Sequence, residues 1–377
     1  MALHNLRVIE MMGLAPGPLC GTILADFGAA VTVVQKVGQV VPADTLSNGK
    51  RSIAINLKSS DGVKILKSLC NNADVLIDTY RPGVMEKLGL GPEVILNNNP
   101  KLIYSRLTGY GQNGYFMQKG GHDINYVAMS GILSLLKKDK IPPSPPLNLL
   151  ADFAGGSVLC VVGILLALLE RQRSGKGQVV DASMTEGVAY IASWIFKNQH
   201  LLWTMEPGSN FLDGGYHFYN TYETKDRKYM AVGAIEPHFY SNLLKGLNLS
   251  QEECPYIEKD IGKEKFREVF LTKTQKEWCE IFDQLDACVT PVLEINSVDK
   301  HKCNKSRQMF FRNVDNIMLP NPAPRLSRTP GESSNKLKAT EPGQHTIEIM
   351  KELGYNNTKI KNLLESGIIC GKVKSNL

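Results

Sequence analysis

The sequence predicts an α/β protein of two domains, and three observations support this. Short β-branched runs alternate with helical stretches over residues 6–107, which is typical of a parallel sheet covered by helices. Hairpin-like runs followed by charged helical stretches begin near residue 216. The length of 377 residues is sufficient for two domains. We therefore expect a large α/β domain over 1–200, a smaller α+β domain over 216–320 and a return to the large domain over 321–377.

The predicted strands of the large domain are five β-branched runs, at 6–10, 30–34, 52–56, 74–78 and 102–107. Residues 17–27 and 60–70 carry apolar side chains at helical spacing, and Ser60-Asp61 is the predicted N-cap of the second of these helices. Each unit therefore has the length of one strand and one helix.

A long apolar helix is predicted at about 153–172, after the Pro-rich loop Ile141-Pro-Pro-Ser-Pro-Pro146. Its continuous apolar part, Val158–Leu169, has about half of the roughly 20 residues that a membrane-spanning helix needs. We therefore expect a buried core helix and no membrane span. The chain is predicted to be helical again from after Asp181 to about His200.

The second domain is predicted from a change of pattern. Residues 216–235, including Tyr229–Gly233, indicate antiparallel hairpins, and residues 237–286 indicate charged helices. Asn321-Pro-Ala-Pro-Arg325 is typical of a linker that leads the chain back.

The composition excludes several classes of protein. With 43% hydrophobic and 21% charged residues, the chain is globular and is not disordered, collagenous or a coiled coil. The 43 Lys and Arg exceed the 37 Asp and Glu by a net charge of only +6, and the cations are scattered, which argues against a nucleic-acid partner. The composition does not exclude a local binding site for an anionic ligand.

The cysteines and the N-terminus predict an intracellular protein. The eight cysteines include no Cys-x-x-Cys pair, and a chain of this length can bury a core without disulfides, so we expect reduced thiols. The first ten residues lack the basic and apolar regions of a signal peptide.

A glycine motif follows the fifth predicted strand. Gly109-Tyr-Gly111-Gln-Asn-Gly114 has the G-x-G-x-x-G spacing of a dinucleotide site, but no helix is predicted after it and no acidic residue lies about 20 positions further on to bind a ribose. A tight loop that shields a ligand is the better interpretation. Neither a phosphate-binding P-loop nor a G-x-S-x-G nucleophile motif is present, and His301 and Cys303 have no companions at metal-ligand spacing, so we predict no metal site.

Two segments place an ionisable side chain at a predicted helix start. His122 lies in Gly120-Gly-His-Asp-Ile-Asn-Tyr126, and Asp152 lies in Leu150-Ala-Asp-Phe-Ala-Gly-Gly156. Each segment alone is explained equally by simple helix capping, with His122 or Asp123 as one cap and Asp152 as the other. Together, a His and an Asp on two helix starts could flank one reacting centre and exchange protons with it, which is what a two-base isomerisation needs.

Nine blocks of the sequence occur in the same order in one known family. They are Gly13-Leu-Ala-Pro-Gly-Pro18, Asp26-Phe-Gly28, Arg81-Pro-Gly83, Gly120–Tyr126, Leu147–Gly156, Gly175-Lys-Gly-Gln178, Leu212-Asp-Gly-Gly215, Gly233-Ala-Ile-Glu-Pro237 and Asp286–Val292. On these blocks, almost the whole chain resembles the 2-methylacyl-CoA racemases of the family III CoA-transferase superfamily. It departs from the family pattern at Gln35-Lys36-Val37, where Asp-Arg-Pro is usual, and at Lys87, where some members have Arg.

The resemblance implies a reaction and its proton-transfer residues. The family interconverts the R and S epimers of 2-methylacyl-CoA thioesters through an enolate. His122 matches the base for the S epimer and Asp152 the base for the R epimer. The backbone N–H of Asp123 matches the donor to the enolate oxygen, and Glu236 matches the acid that orients the histidine.

The resemblance also implies how CoA is bound. Lys36, Arg81 and Lys87 match positions that meet the phosphates and adenine of CoA, and Gly121 and Tyr126 are expected at the substrate. Lys at 36 and 87 keeps the charge but loses the bidentate and stacking geometry of Arg. No metal or organic cofactor is expected, because the thioester itself acidifies the carbon and CoA is part of the substrate.

The implied architecture is the family III CoA-transferase fold, in which a large Rossmann-like domain and a small α+β domain form an interlocked homodimer. Glu236 would then act across the subunit interface. Two alternatives stay open: a CoA-transferase of the same superfamily, in which Asp152 is the nucleophile that forms an acyl anhydride, and a noncatalytic CoA-binding protein.

The final residues suggest a location. Ser375-Asn376-Leu377 matches the peroxisomal Ser-Lys-Leu signal at its outer two residues, with Lys372 and Lys374 just upstream. A frayed polar tail is the simpler interpretation. Because similar racemases serve the oxidation of branched fatty acids and bile-acid-type side chains, we predict peroxisomal import by a receptor, with some protein in mitochondria or cytosol.

Overall fold

The structure, a computed structural model, describes residues 1–38, 46–138 and 141–371. The chain divides into two compact units. The first contains 1–130, 146–191 and the chain from Lys302 onward, and the second contains 131–145 and 192–301. This division differs from the predicted domains in three places. Residues 131–145 contribute to the second unit, and so do residues 192–200, which were predicted in the large domain. The chain re-enters the first unit at Lys302, before the predicted linker at 321–325.

The first part of the first unit contains six strands. They are β1 (Arg7–Met11), β2 (Ala30–Gln35), β3 (Arg51–Ile55), β4 (Val75–Asp78), β5 (Ile103–Thr108) and β6 (Val179–Ser183). The five predicted strands are confirmed to within one residue at each end. β6 was not predicted, because its only strand signal is the pair Val179-Val180 at its start.

The helices of this part are α1 (Pro16–Asp26), α2 (Ser60–Asn71), α3 (Val84–Lys87), α4 (Pro92–Asn98), α5 (Asp123–Met129), α6 (Leu159–Ser174) and α7 (Met184–Ile191). The N-cap prediction for α2 is wrong by one residue. Ser59 holds the N-cap position without a side-chain cap hydrogen bond, and Ser60 and Asp61 lie in the first turn.

The second unit is an antiparallel sheet with helices. It contains α8 (Ser193–Leu202), β7 (Tyr219–Glu223), β8 (Tyr229–Gly233), α9 (Pro237–Leu247), α10 (Lys259–Phe270), α11 (Gln275–Phe282) and β9 (Val289–Pro291). The three strands pair antiparallel in the order β7-β8-β9. The predicted hairpin and the charged helices are therefore confirmed.

A buried histidine lies in the core of the second unit. His217 is fully buried, and its Nε2 lies 2.8 Å from the hydroxyl oxygen of Tyr240. Since the Tyr240 hydroxyl donates to the carbonyl of Cys254 at 2.7 Å, the histidine is the donor in the first contact. Its Nδ1 is buried without a partner among the described residues. Burial, with a smaller contribution from Lys263, lowers the pKa of His217 to about 4.

The returning chain completes the first unit. It contains α12 (Lys302–Ser306), the hairpin β10 (Phe310–Arg312) and β11 (Met318–Pro320), α13 (Thr346–Glu352), α14 (Asn357–Glu365) and β12 (Ile369–Cys370). β12 pairs antiparallel with β3, so the seven-stranded sheet has the order β12-β3-β2-β1-β4-β5-β6, with its other strands parallel.

The order of this sheet locates the crevice in which α/β proteins bind ligands. From β1, the chain first adds β2 and β3 on one side of the sheet and then adds β4, β5 and β6 on the other side. The strand order therefore reverses between β1 and β4, and ligands of such sheets bind beyond the carboxyl ends of the strands at that point.

The apolar helix near residue 160 differs from the prediction of a core helix. The helical stretch Leu149–Ser174 is long and apolar enough to cross a membrane by length and composition. α6 buries one face, at Cys160, Val161 and Ile164, and packs on β5 and β6. Its other face is exposed, with Leu166 62% and Leu169 53% accessible. The helix therefore covers the sheet on one side and presents apolar side chains on the other.

All eight cysteines are free, in agreement with the expectation of reduced thiols.

Candidate active site

A cavity of about 1030 Å³ opens in the first unit beyond the carboxyl ends of the parallel strands. The loops after β1, β4 and β5 line it, together with the starts of two helices. Gly13 follows β1 and Thr79 follows β4, so the cavity lies where the strand order reverses. The ionisable side chains in its lining include Arg81, Lys119, His122, Tyr126 and Asp152.

The glycine motif after β5 forms a loop of the kind predicted. No helix opens on Gly109–Gly114, and Gly111 and Gly114 both have positive φ. A Cβ atom at Gly109 would lie 2.2 Å from the ring of Tyr126. The absence of a side chain at Gly109 is therefore what allows the Tyr126 ring to lie against the loop.

His122 is the N-cap residue of α5, as the capping interpretation proposed. Its backbone N–H donates to Oδ1 of Asn125 at 3.0 Å, which closes the first turn of the helix. The side chain is exposed and lies in the wall of the cavity. The capping position and a place in the cavity wall are therefore compatible interpretations of His122.

Tyr126 holds the residue before His122. Its hydroxyl donates a hydrogen bond of 2.6 Å to the carbonyl oxygen of Gly121. Burial raises the pKa of Tyr126 to about 12, so the hydroxyl stays protonated and remains a donor. Because the hydroxyl proton is donated to Gly121, a ligand could contact Tyr126 through the ring or as a donor to the hydroxyl oxygen.

Asp152 lies in a π-helical segment, Leu149–Val158, that continues directly into α6. The alternative interpretation of Asp152 as a helix N-cap is wrong, since the N-cap residue is Asn148 and Asp152 is the fourth residue of the segment. The partly exposed Asp152 side chain contributes to the wall of the cavity, with Oδ2 accepting a hydrogen bond of 3.4 Å from the amide of Asn148.

The surroundings of Asp152 raise the pKa of its carboxyl group. Burial is the largest cause, and the charge of Asp123 acts in the same direction, while Asn148 and His122 oppose the shift. A raised pKa brings the carboxyl group nearer to neutrality, which makes it a stronger base when ionised and lets it return a proton more readily near neutral pH.

The side chain of Asp123 joins α5 to the π-helical segment. Its Oδ2 accepts hydrogen bonds from the N–H of Ala151 at 2.7 Å and from the N–H of Asp152 at 2.8 Å. The sequence predicted a role for the backbone of Asp123 and missed this role of its carboxylate. The signal that could have found it is an acidic residue at a helix start, but sequence does not show which segment that acid contacts.

The predicted CoA-binding cations are not all at the cavity. Arg81 lines it, and its Nη1 donates to the carbonyl of Gln118 at 3.4 Å. Lys36 follows β2, Lys87 ends α3, and both are exposed and outside the lining residues. Lys119, which was not predicted, does line the cavity, and its ammonium lies 4.1 Å from the centre of the Phe116 ring. Gly121 lies in the lining as well.

Glu236 belongs to the second unit, where it is the N-cap residue of α9. Its predicted action on His122 of a partner subunit stays a prediction. Within residues 1–38, 46–138 and 141–371, no three His, Cys, Asp or Glu side chains are grouped closely enough to hold a metal ion.

Comparison with known proteins gives a family and full-length relatives. The model of CoA-transferase family III matches residues 3–346. The chain is 50% identical to the alpha-methylacyl-CoA racemase of Mus musculus and 49% identical to that of Homo sapiens, with 100% of each chain covered in both cases. A crystal structure of a CAIB/BAIF family protein from Brucella suis matches with a TM-score of 0.78 and 21% identity, over 93% of this chain and 99% of that one. The last similarity is one of fold.

Proposed function

The chain belongs to CoA-transferase family III, and from this premise we propose that it is a racemase that interconverts the 2R and 2S epimers of 2-methylacyl-CoA thioesters. The observation that carries the proposal is the identity of about half of all residues, over the full length, with two racemases of that name. The cavity supports it, because His122 and Asp152, two groups able to exchange protons, both line it.

The proposed reaction is a proton transfer at the carbon beside the thioester carbonyl. His122 removes the proton of the S epimer and Asp152 that of the R epimer, and in each direction the other residue returns a proton to the opposite face. The negative charge of the enolate formed in between develops on the thioester oxygen. The N–H of Asp123 is suited to meet it, because it is the first N–H of α5 and has no acceptor among the described residues.

The CoA part of the substrate is anionic and needs cations at the mouth of the cavity. Among the described residues of the lining, Arg81 and Lys119 are the lysine and arginine side chains. We propose that they bind the phosphates, with Lys36 and Lys87 adding charge from further out. The same cavity needs no cofactor for this chemistry, since the thioester makes the carbon acidic and fixed dipoles stabilise the enolate.

The rival within the family is a CoA-transferase in which Asp152 attacks the thioester. We favour racemisation because a transferase does not require a proton-transfer group at the position of His122. The discriminating experiment incubates one epimer of a 2-methylacyl-CoA with the enzyme in deuterated water. Deuterium entering at Cα with loss of stereochemical purity supports the racemase.

Two other outcomes of that experiment would contradict the racemase. Transfer of CoA to an added carboxylate, without exchange at Cα, indicates the transferase. Binding of CoA with neither activity indicates a noncatalytic CoA-binding protein.

We also propose that the enzyme is a homodimer, joined in part through the exposed face of α6. Val162, Leu165, Leu166 and Leu169 follow helical spacing and are each at least 40% accessible, and such apolar stripes on soluble domains mark contact surfaces. The double variant Leu166→Glu with Leu169→Glu should be monomeric by light scattering, whereas Glu170→Gln on the same helix should remain a dimer. A wild-type protein that is active as a monomer would contradict this.

Glu236 is proposed to orient His122 of the partner subunit. Co-expression of His122→Ala with Glu236→Gln tests this directly, because a mixed dimer then contains one site with both native residues. About a quarter of wild-type activity should return if the residues act across the interface, since half of randomly paired dimers are mixed and each has one intact site. No recovery would place Glu236 and His122 in the same subunit's site.

Import into peroxisomes, with a fraction in mitochondria, stays a prediction from Ser375-Asn376-Leu377. These residues lie outside the part of the chain that the structure describes. A fluorescent protein that carries the last twelve or so residues should enter peroxisomes in cells that import a Ser-Lys-Leu control. A diffuse signal would show that the tail is not an import signal.

A further inference from the structure

The carboxylate of Asp123 is a buried anion whose hydrogen bonds run to another part of the chain. Only 4% of the residue is accessible. One oxygen, Oδ2, accepts the backbone N–H groups of Ala151 and Asp152, at 2.7 and 2.8 Å. The other oxygen, Oδ1, is buried without a hydrogen-bond partner in the described part of the chain. The side chain therefore contributes two hydrogen bonds, both to the segment that carries Asp152.

The position of these bonds couples the two proposed proton-transfer residues. Asp123 is joined to His122 by a peptide bond, and its carboxylate binds the N–H of Asp152 itself. A negative charge is favourable at the N-terminal end of a helical segment, where N–H groups have no acceptor in the preceding turn. Fixing the N–H of Asp152 restricts the direction in which its Cα–Cβ bond points.

We propose that the side chain of Asp123 is a positioning residue, which keeps the backbone of Asp152 in a fixed relation to His122 so that both groups face the same carbon of the substrate. This inference rests on the proposed racemase function and adds to it a role that is distinct from the backbone N–H of Asp123. It requires no direct contact between the Asp123 carboxylate and the substrate.

A simple structural role would give a different result from positioning. If the carboxylate only stabilises the fold, its loss lowers the amount of active enzyme and reduces every step in proportion. If it positions Asp152, its loss affects the step that needs Asp152 more than the step that needs only His122. A ratio of two rates from the same sample separates these cases, since the ratio does not depend on the folded fraction.

The experiment follows the 2S epimer in deuterated water and measures two rates. The first is exchange of the Cα proton with retention, which His122 can perform alone, and the second is inversion, which also needs a proton from Asp152. In Asp123→Ala, the ratio of inversion to exchange should fall at least about 10-fold, because displacements of about 1 Å can cost up to 10²-fold. Asp123→Asn keeps an oxygen acceptor for both N–H groups and should lie closer to wild type.

Asp26 offers a matched control. Its Oδ1 also accepts a backbone N–H from a distant segment, that of Ser334 at 2.6 Å, and it is not among the residues that line the cavity. Asp26→Asn should leave the ratio unchanged. An equal loss of inversion and exchange in Asp123→Ala, or an Asn variant no closer to wild type than the Ala variant, would overturn the positioning role. Wild-type enzyme without exchange or inversion would overturn the racemase proposal, and this inference with it.

Discussion

The hydroxyl of Tyr126 donates a hydrogen bond of 2.6 Å to the carbonyl oxygen of Gly121, five residues earlier in the chain. The next N–H, that of His122, is bound by Asn125 at 3.0 Å. Both polar groups of the Gly121–His122 peptide are therefore held by side chains of the first turn of α5. The backbone that carries the proposed histidine base is fixed before any ligand binds.

Removal of the Tyr126 hydroxyl should reduce turnover more than binding. In Tyr126→Phe the ring still fits against Gly109, but the carbonyl of Gly121 loses its donor, and the peptide before His122 becomes free to rotate. We expect kcat to fall about 10-fold with little change in KM, because the lost contact orients a base. Steady-state kinetics check this. Tyr115→Phe, at a residue 93% exposed, should behave as wild type. A rise in KM alone would instead indicate that Tyr126 binds substrate.

Loss of either proposed base should abolish most racemisation. His122→Ala and Asp152→Asn should each lower the rate at least about 10²-fold, which is the usual contribution of one positioned acid or base. Stereochemical analysis of the product from each pure epimer gives the rate, and the exposed His4→Ala serves as the control. A folded His122 variant with near-normal racemisation would leave only the capping role for this residue.

Cations in the cavity lining should contribute more to CoA binding than those outside it. Arg81→Ala should raise the KM for the acyl-CoA about 10-fold, since charge-assisted contacts to phosphate contribute about 1.5–3 kcal/mol each. Lys36→Ala and Lys87→Ala should raise the KM less, because both residues are exposed and outside the lining. Lys58→Ala is a surface control. Equal effects of all three cations would show that the CoA extends beyond the cavity.

Activity should not depend on a metal ion. Dialysis against a strong chelator, followed by assay in metal-free buffer, should leave kcat and KM unchanged, because the proposed mechanism assigns proton transfer and enolate stabilisation to side chains and backbone N–H groups. Loss of activity that returns on adding a divalent cation would refute this mechanism.

Acid should destabilise the second unit through His217. The folded pKa of about 4 lies below the ordinary value of about 6.5. The unfolded state therefore binds a proton first as the pH falls, and the unit loses up to about 3 kcal/mol between pH 6.5 and pH 4, while stability is unaffected above pH 6.5. All three tryptophans lie in this unit, so tryptophan fluorescence during urea unfolding reports it selectively.

Two variants test the origin of this acid effect. His217→Asn removes the titrating group and should flatten the pH dependence, at some cost in stability at pH 7. His238→Asn changes an exposed histidine of the same unit and should leave the dependence as in wild type. If the stability of both variants depended on pH as in the wild type, another buried group would be responsible.

The sequence by itself located five of the seven strands of the sheet and predicted His122 and Asp152 as the reacting groups. Five strands could be located because each is a run of β-branched residues, and parallel strands are buried on both faces, as β4 and β5 are. The loop at 109–114 was predictable because its three glycines are a local signal in the sequence. The ordered blocks of residues predicted the family, which the comparison confirmed.

The tertiary structure alone decided how the proposed site is assembled. The π-helical segment that contains Asp152 differs from an α-helix by one residue in hydrogen-bond register, which the sequence pattern does not show. It packs tightly on α7, since an added Cβ at Gly155 would be 2.6 Å from the N of Val188. The contact from Asp123 to Asp152 joins residues far apart in the chain. The exposure of one face of α6 and the position of Lys119 in the cavity wall depend on which other elements pack around them. The pattern of residues along a sequence shows the local conformational preference of each segment. These features depend instead on which surfaces of the folded chain pack together.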